Sequence, residues 1–388
     1  MKLQRFVITV IAGLFLVFFA DAVRIEASAL RSSSGTTPVS RLSTVVSRSE
    51  KTLNDRFRLR YGFYEVAGLF NRSIGRRFVD NVYRLSNGHL VSVGGDGDVS
   101  DSVAGMKEFH DFCSARGIPL LYVILPKKYI DNRDLAPFGV EDQADRKVDR
   151  FLSELASAGV DTLDMRPYIA AEYENQYDAY YKTDHHWKTS AGLFCARVLA
   201  GELRDRYDIP LDPDRIRDGA FSVTEMKNSW LGERGKRTGS FYSGLDDFEL
   251  IKPLAETRFH LTIPGRDLDE TGDFSIMLDE ARLDAGFWGR RYGPSFYYCY
   301  LFGNDPVQVI ENEDLDSGKI LVIKDSFAQA VNPFLAMTAH TVVSWDLRYN
   351  TDSLRDYIAE NDFDAVLVMY SESMINRTRE GRFMFDFT

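Results

Sequence analysis

The stretch IPLLYVIL at residues 118–125 decides the fold class of this chain. It is an uninterrupted apolar run closed by Pro126, a pattern typical of a strand whose sheet is covered on both faces. Residues 103–116, just before it, have helical spacing and end at Gly117, a favoured residue after a helix C-terminus. A helix that leads into a doubly buried strand predicts a sheet sandwiched between helices.

The same alternation of helix and strand continues along the chain on both sides of an aromatic-rich middle region, residues 209–300. We predict helices at 142–158, 327–338 and 352–361, and strands at 160–163, 319–323, 341–345 and 363–369. The middle region contains short aromatic alternations, such as 239–244 and 295–298, and reads as a β-rich insertion. The fold class is therefore α/β: three layers, α/β/α, with a central and mostly parallel sheet.

The N-terminus predicts export. Lys2 and Arg5 precede an apolar run at residues 6–20, which is short for a membrane span but fits the core of a signal peptide. The small-x-small pattern at residues 20–22 is compatible with cleavage, and an uncleaved signal anchor reaching Val23 is the alternative. Both alternatives predict an extracytoplasmic protein, either secreted or anchored to the membrane by residues 1–23.

The remaining chain divides into a tether and one domain. Residues 24–52 are rich in Ser, Thr and Gly, which predicts a flexible tether. We assign residues 53–388 to a single α/β domain, which opens with a helix at 53–70 and a hairpin at 81–93.

Composition excludes some classes of function. The net charge of −11 argues against nucleic-acid binding, which needs a basic surface. Cys113, Cys195 and Cys299 allow at most one disulfide, and their spacing indicates neither a metal site nor a redox site. No cofactor is predicted.

The segment TDHHW at residues 183–187 is the first of two chemical candidates. In an extended segment, residues two apart project to the same side, so Asp184 and His186 would lie together while His185 points away. A carboxylate beside an imidazole fixes its tautomer and stabilises the imidazolium formed when the ring accepts a proton.

The second candidate is Ser326, between the strand predicted at 319–323 and the following helix. Ligands of open α/β sheets bind at the carboxyl ends of the strands, so Ser326 is positioned to act as a nucleophile activated by His186. Backbone N–H groups at the helix start could hold an oxyanion. Two alternatives remain open: Ser326 as a helix N-cap, and Asp184, His185 and His186 as metal ligands or structural residues.

These two segments, DHHW at 184–187 and KDSF at 324–327, resemble the DHHW protein family. That family is related to the SGNH-hydrolase-like proteins of alginate O-acetylation. The resemblance covers about residues 53–370 and includes further short segments in the same order, at 81–88, 239–243, 302–306 and 345–349.

The resemblance implies an SGNH-like fold and a triad of Ser326, His186 and Asp184. It also implies an asparagine in the oxyanion site, for which Asn304 is the candidate. The family serine is often followed by Tyr, whereas this chain has Phe327. Relatives act beside a membrane-bound O-acyltransferase that supplies the acetyl donor, and their acceptors are polysaccharides.

Three further residues are candidates for substrate binding. Arg348 and Tyr349 follow the strand at 341–345, where Arg348 could bind an anionic sugar or simply close a salt bridge. Trp187 could stack on a sugar ring or lie in the core.

The sequence therefore predicts an exported, serine-dependent O-acyltransferase or esterase that acts on acetyl esters of a cell-surface or secreted polysaccharide. The alternatives are a non-catalytic carbohydrate-binding or scaffold protein of a polysaccharide-modifying complex, and a metal-binding protein that uses Asp184, His185 and His186.

Overall fold

The computed structural model describes residues 60–129 and 135–388. The predicted leader at 1–23, the predicted tether at 24–52 and the first residues of the helix predicted at 53–70 lie outside this part of the chain. Within the described ranges, no helix combines the length and apolar character that crossing a bilayer requires.

The strands of the described residues are β1 (Phe78–Val79), β2 (Val82–Arg84), β3 (Leu90–Val91), β4 (Leu120–Leu125), β5 (Asp161–Asp164), β6 (Phe221–Trp230), β7 (Asp246–Pro253), β8 (Phe259–Ile263), β9 (Leu268–Gly272), β10 (Val307–Asn312), β11 (Lys319–Lys324), β12 (Thr341–Trp345), β13 (Ala365–Ser371), β14 (Thr378–Arg379) and β15 (Arg382–Phe383).

The α-helices are α1 (Arg60–Ser73), α2 (Ser100–Ser114), α3 (Ala144–Ser157), α4 (Met165–Glu172), α5 (Thr189–Tyr207), α6 (Glu233–Thr238), α7 (Ser240–Ser243), α8 (Phe287–Tyr292), α9 (Asn332–Leu335) and α10 (Leu354–Ala359). Short 3₁₀ turns lie at Gln176–Ala179, Pro213–Ile216, Pro264–Arg266, Phe274–Met277, Glu280–Asp284, Phe296–Cys299, Ser326–Ala330 and Glu372–Met374.

The main sheet has eight strands in the order β5-β4-β13-β11-β12-β10-β8-β9. The five strands from β5 to β12 are parallel, and β10, β8 and β9 extend the sheet with antiparallel pairings. All residues of β4, β12 and β13 are buried, because helices cover both faces. The predicted mostly parallel α/β/α fold is confirmed.

Side chains of the central strands alternate between two cores. In β4, Leu121 and Val123 point to the core that includes α5, whereas Tyr122 and Ile124 point to the core that includes α2 and α3. This alternation follows from the two-residue repeat of a strand. The hairpin predicted at 81–93 is also present, since Tyr83 of β2 pairs with Val91 of β3.

The middle region differs from its prediction as a β-rich insertion. β6 and β7 form a separate two-stranded antiparallel sheet, but β8 and β9 belong to the main sheet. The aromatic segments at 239–244 and 295–298 were predicted as strand-like and are instead α7 and the start of a 3₁₀ turn. Gly239 (φ 84°) and Gly244 (φ 81°) bracket α7 in conformations that favour glycine, which explains the helical turn between them.

The helical segment predicted at 327–338 is present but divided. The structure has the 3₁₀ turn Ser326–Ala330 followed by the short helix α9. Pro333 lies in the first turn of α9. A proline tolerates that position but clashes with the carbonyl four residues earlier inside a helix, so one continuous helix cannot pass through it.

Candidate active site

The site lies at the carboxyl ends of four neighbouring parallel strands. Lys128 follows β4, Ser371 ends β13, Ser326 follows β11 and Arg348 follows β12. Because parallel strands end at the same edge of a sheet, residues far apart in sequence meet there.

A local cap holds the Ser326 turn in place. The Asp325 carboxylate accepts a hydrogen bond from the Phe327 N–H (2.9 Å) through one oxygen. Its other oxygen accepts from the N–H (2.8 Å) and the hydroxyl (2.6 Å) of Ser371. Asp325 therefore ties the turn to the adjacent strand β13 and leaves Ser326 at the strand end, 7% exposed.

The structure brings together the three residues predicted as a triad. His186 Nε2 lies 2.7 Å from Ser326 Oγ, and His186 Nδ1 lies 2.6 Å from Asp184 Oδ1. Asp184 and His186 are buried, whereas the side chain of His185 is 37% exposed. With Nδ1 bonded to a carboxylate, Nε2 is the nitrogen that faces the serine hydroxyl.

The His186 ring is clamped by aromatic residues. It stacks on the Tyr297 ring with centroids 3.9 Å apart and planes 9° apart. The Tyr297 hydroxyl (2.9 Å) and the indole N–H of Trp187 (3.0 Å) both donate to the Phe327 carbonyl, so these residues also anchor the Ser326 turn. Trp187 is fully buried and offers no face to a sugar, so its predicted role in substrate binding is not supported.

Asp184 is held as a carboxylate. Its second oxygen accepts the Glu233 N–H (2.8 Å), and its first also accepts the backbone N–H of His186 (3.0 Å). Burial opposes ionisation of Asp184. The positive charge available on His186 and these hydrogen bonds outweigh that effect and hold its pKa well below the usual value.

Two buried charged residues shape the loop around Asp184. Lys128 Nζ donates to the carbonyls of Asp184 (2.5 Å), Tyr181 (2.7 Å) and Lys182 (3.3 Å). Asp246 accepts the N–H groups of Lys182 (2.5 Å) and Thr183 (2.8 Å) as well as the Thr183 hydroxyl (2.5 Å). Burial lowers the pKa of Lys128 and raises the pKa of Asp246.

Gly232 allows the α6 segment to approach this loop. A Cβ atom at Gly232 would collide with the backbone and Cβ of Asp184. Only a glycine permits the approach that brings the Glu233 N–H to the carboxylate.

A third buried network holds Asn304. Lys324 is fully buried, and its Nζ lies 2.7 Å from Asn304 Oδ1, 3.0 Å from Gln329 Oε1 and 3.4 Å from Asp346 Oδ2. Burial lowers the pKa of Lys324 to about 8, although the Asp346 charge opposes this. The Asn304 amide also donates to the Tyr298 hydroxyl (3.2 Å), whose ring lies edge-on to His186 with centroids 6.1 Å apart.

The backbone before Asn304 is strained. Leu301, Phe302 and Gly303 have φ values of 51°, 60° and 110°, and large side chains rarely adopt such conformations. Gln308 and Gln329 both donate to the Gly303 carbonyl and so hold this conformation. Strain of this kind is found at sites where geometry matters for function.

Arg348 forms the salt bridge that was the alternative to ligand binding. Its guanidinium makes two hydrogen bonds to Asp346, at 2.8 and 2.6 Å, and its side chain is 9% exposed. Tyr349 is more accessible and lies under the guanidinium groups of Arg348 and Arg379. Of the two, Tyr349 has the surface to contact a substrate.

Among the described residues, the metal-binding alternative has too few ligands. Ligand atoms of Asp184, His185 and His186 lie within 4.8 Å of one another. Both ring nitrogens of His186 are already engaged, one by Asp184 and one by Ser326. Asp184 and His185 alone fall short of the three protein ligands typical of a catalytic zinc site.

Comparison with known proteins agrees with this architecture. A family model described as the SGNH hydrolase-like domain of the acetyltransferase AlgX matches residues 86–228. The structure of Bacillus cereus PatB1 with a sulfonyl adduct superimposes with a TM-score of 0.63 at 19% identity, covering 79% of this chain and 97% of PatB1. The chain has the SGNH hydrolase-like fold.

A crystal structure of a DHHW family protein from Eubacterium siraeum shares this SGNH hydrolase-like fold. It matches with a TM-score of 0.57 at 17% identity, covering 75% of this chain and 90% of the relative. No curated protein matches the chain. The predicted resemblance to the DHHW family and to the alginate-acetylation proteins is confirmed, and residues 86–228 are similar to the SGNH hydrolase-like domain of an acetyltransferase.

Sequence reasoning missed several residues that shape this SGNH-like site. Lys324 carried a signal, because it is a charged residue that directly follows the apolar run at 320–323 and precedes Asp325 and Ser326. Lys128 also follows a buried strand. Asp246 and Gly232 carried none, since they lie within the region predicted as an insertion.

Proposed function

We propose that this chain is an exported serine-dependent O-acyltransferase or esterase that acts on acetyl esters of a cell-surface or secreted polysaccharide. The observation that carries the proposal is the continuous contact from Asp184 through both nitrogens of His186 to Ser326 Oγ. A serine hydroxyl bonded to an oriented imidazole is an activated nucleophile for acyl transfer.

In the first half-reaction, Ser326 Oγ attacks the carbonyl carbon of an acetyl ester while its proton passes to His186 Nε2. Asp184 stabilises the resulting imidazolium without taking the proton. The tetrahedral intermediate then collapses: the bond to the donor's alkoxy oxygen breaks, that oxygen takes the proton from His186, and an acetyl-serine remains.

In the second half-reaction, a sugar hydroxyl or water attacks the acetyl-serine. His186 accepts the proton of the attacking group and returns it to Ser326 as the serine leaves. A sugar acceptor gives transfer, and water gives hydrolysis. The balance depends on how well the site binds the acceptor and excludes water.

The oxyanion needs hydrogen-bond donors. The Phe327 N–H, one of the helix-start donors expected from sequence, is already bonded to Asp325. This leaves as candidates the Ser326 N–H and the Asn304 side-chain amide, whose NH₂ group donates one hydrogen to the Tyr298 hydroxyl and carries a second. Lys324 binds the oxygen of the Asn304 amide, which turns its NH₂ group away from Lys324 and supports its role as a donor.

The proposed setting rests on sequence and similarity. The apolar run at residues 6–20 supports export, and the match to an acetyltransferase domain supports acetyl transfer. The polysaccharide acceptor is what the resemblance to the alginate O-acetylation proteins implies. The acetyl donor would then come from a membrane-bound O-acyltransferase, as the family resemblance implies.

The first test is p-nitrophenyl acetate hydrolysis by the full-length chain in detergent, compared with Ser326→Ala and with Ser222→Ala. Ser222 is an exposed serine on β6 whose hydroxyl donates to the Lys252 carbonyl of the paired strand β7. Its replacement therefore controls for the loss of a serine hydroxyl away from the triad. We expect Ser326→Ala to fall to the background rate and Ser222→Ala to keep the wild-type rate. Equal rates in the wild type and both variants would show that Ser326 is not the nucleophile.

Covalent labelling identifies the atom independently of turnover. A sulfonyl fluoride should form a sulfonate ester at Ser326 Oγ with loss of fluoride, detected as one adduct by intact mass and located by peptide mapping. The adduct should be absent from Ser326→Ala. An adduct elsewhere, with Ser326 unmodified, would contradict the assignment.

A further inference from the structure

The exposed side of α1 is apolar. Val66, Leu69 and Phe70 are each more than half exposed, as is Ile74 just beyond the helix. Glu65 is the one acidic residue of α1, and it is buried. A helix that faces water normally carries charged residues on its outer side, so this composition indicates a contact with an apolar phase.

Neighbouring aromatic residues enlarge this area. Phe241 and Phe287 are more than half exposed, and Trp288 is 45% exposed. Tyr61 of α1 stacks on Tyr292 of α8 with centroids 4.2 Å apart, which joins the two helices. The combined area is called the α1 surface and comprises Val66, Leu69, Phe70, Ile74, Phe241, Phe287 and Trp288.

Hydrogen bonds and close packing on one side of α1 fix its orientation on the domain, so that its apolar side faces outward. Glu65 accepts hydrogen bonds from the N–H groups of Ser240 (3.1 Å) and Phe241 (2.9 Å) and from the Tyr292 hydroxyl (2.8 Å). A Cβ atom at Gly68 would collide with the Thr238 carbonyl, which indicates close packing of α1 on the end of α6. The orientation of α1 is therefore fixed by its other side.

Uncompensated arginines border the α1 surface. Arg72 donates to the Phe241 carbonyl, Arg76 to the Phe78 carbonyl, Arg290 to the Ala285 carbonyl and Arg291 to the Phe287 carbonyl. None of these four arginines forms an ion pair with a carboxylate among the described residues. In a chain of net charge −11, this is a local concentration of positive charge beside an apolar area.

We infer that the α1 surface docks onto an anionic lipid bilayer. Apolar side chains would enter the boundary between headgroups and acyl chains, Tyr and Trp rings would lie at the headgroup level, and the arginines would meet anionic headgroups. Charge complementarity favours a membrane over water at this place, because the rest of an acidic protein is repelled by an anionic surface.

Docking would fix the orientation of the domain as well as its position. The α1 surface rests on α7, and α7 follows α6, whose first residue Glu233 donates to Asp184. Two short helices thus connect the membrane contact to the triad. The inference does not depend on the proposed reaction, because its readout is contact with lipid.

The test uses tryptophan fluorescence of the full-length chain in vesicles. The chain has four tryptophans. Trp187, Trp230 and Trp345 are buried, which leaves Trp288 of the α1 surface as the accessible reporter. In vesicles of phosphatidylglycerol and brominated phosphatidylcholine, bromine should quench Trp288 relative to unbrominated vesicles. Trp288→Phe should lose this quenching, even if the N-terminal apolar run remains inserted.

Three variants test whether the quenching depends on the α1 surface. Val66→Asp combined with Phe70→Asp should abolish the quenching, and Arg72→Glu combined with Arg290→Glu should weaken it while leaving the apolar side chains intact. Leu254→Asp changes an equally exposed apolar residue beyond β7 and should have no effect. Absence of Trp288 quenching in the wild type would overturn the inference, and so would equal quenching in all three variants.

Discussion

The Asp184–His186 loop and the Ser326 turn meet in one site but are built in different ways. The turn follows the central strand β11. The residue that caps it, Asp325, directly precedes Ser326 in the sequence. The loop lies outside the strands and helices. Its shape depends on Lys128, Gly232 and Asp246, which come from two other parts of the chain. The nucleophile is thus positioned by the sheet, and the acid–base pair by long-range clamps.

This difference teaches where the site is vulnerable. After a substitution in the Ser326 turn, the sheet still fixes the end of β11 and therefore the position of Ser326. A change in one clamp of the loop releases several backbone groups at once, because Lys128 alone satisfies three carbonyls. The loop should therefore depend more strongly on residues that touch no substrate.

The largest effect is expected for Asp184→Asn. The hydrogen bonds of this carboxylate all come from donors: the His186 Nδ1–H, the His186 N–H and the Glu233 N–H. An amide must place its NH₂ against one of them, which disfavours the tautomer that accepts the serine proton. We expect kcat for p-nitrophenyl acetate to fall on the order of 10³- to 10⁴-fold.

The matched control for this prediction is His185→Gln. His185 Nδ1 also lies 3.3 Å from Asp184 Oδ1, but among the described residues His185 has no hydrogen bond to Ser326, so it tests for an imidazole that is near the carboxylate and outside the triad. It should keep kcat within a few-fold of the wild type. If Asp184→Asn kept a kcat close to that of the wild type, the Asp184 carboxylate would not contribute to catalysis.

The next effect is expected for Lys128→Met, which removes a clamp outside the triad. The carbonyls of Tyr181, Lys182 and Asp184 would lose a buried donor, at a cost of about 3 kcal/mol in the free energy of unfolding. Chemical denaturation measures this loss, and kcat should fall with it because His186 is no longer held. Lys182→Met, at an exposed residue of the same loop, should change neither quantity. Unchanged stability in Lys128→Met would show that the loop holds its own shape.

A smaller effect on activity is expected for Lys324→Met, at the end of β11 just before the Ser326 turn. Lys324 orients Asn304, so its loss should lower kcat by roughly 10- to 100-fold while KM changes little, as for a weakened oxyanion donor. If Lys324 acts through Asn304, the effect should largely vanish in an Asn304→Ala background. Additive effects in the double variant would mean that the two residues act separately.

The smallest effect is expected for His260→Gln, on β8 and away from both regions. Hydrogen bonding to Asp269 (2.5 Å) and Glu311 (3.0 Å) raises the pKa of His260. Because the folded-state pKa is raised, its stabilisation is complete below the unfolded value of about 6.5 and is lost as the pH rises through the folded value. The variant should lose at most about 1 kcal/mol at about pH 5 and nothing at about pH 9, with kcat unchanged. Thermal melts at the two pH values measure the difference.

Local sequence patterns predicted much of this molecule. The apolar runs at 118–125 and 319–323 are strands β4 and β11, and Asp184, His186 and Ser326 were singled out by their spacing and by their place beside predicted elements. The strands are as predicted and the three side chains meet, because the two-residue repeat of a strand and the position of a residue at a strand end are properties of neighbouring residues.

The helix after Ser326 and the aromatic segment at 239–244 were predicted less well. Pro333 divides the former, and the latter is a helical turn whose first N–H groups are bonded to Glu65, about 175 residues earlier. The apolar pattern alone does not reveal either constraint.

The sequence by itself thus determined the layered α/β sheet and the residue types of the site, because neighbouring residues encode apolar periodicity and turn chemistry. Only the tertiary structure decided which groups hold the site. Lys128 donates to three carbonyls of the loop, Gly232 packs against Asp184, and Lys324 donates to Asn304. The physical reason is that a buried charge or a close approach is stable only where its partners surround it in space. That condition depends on the folded arrangement of strands, and no local pattern carries it.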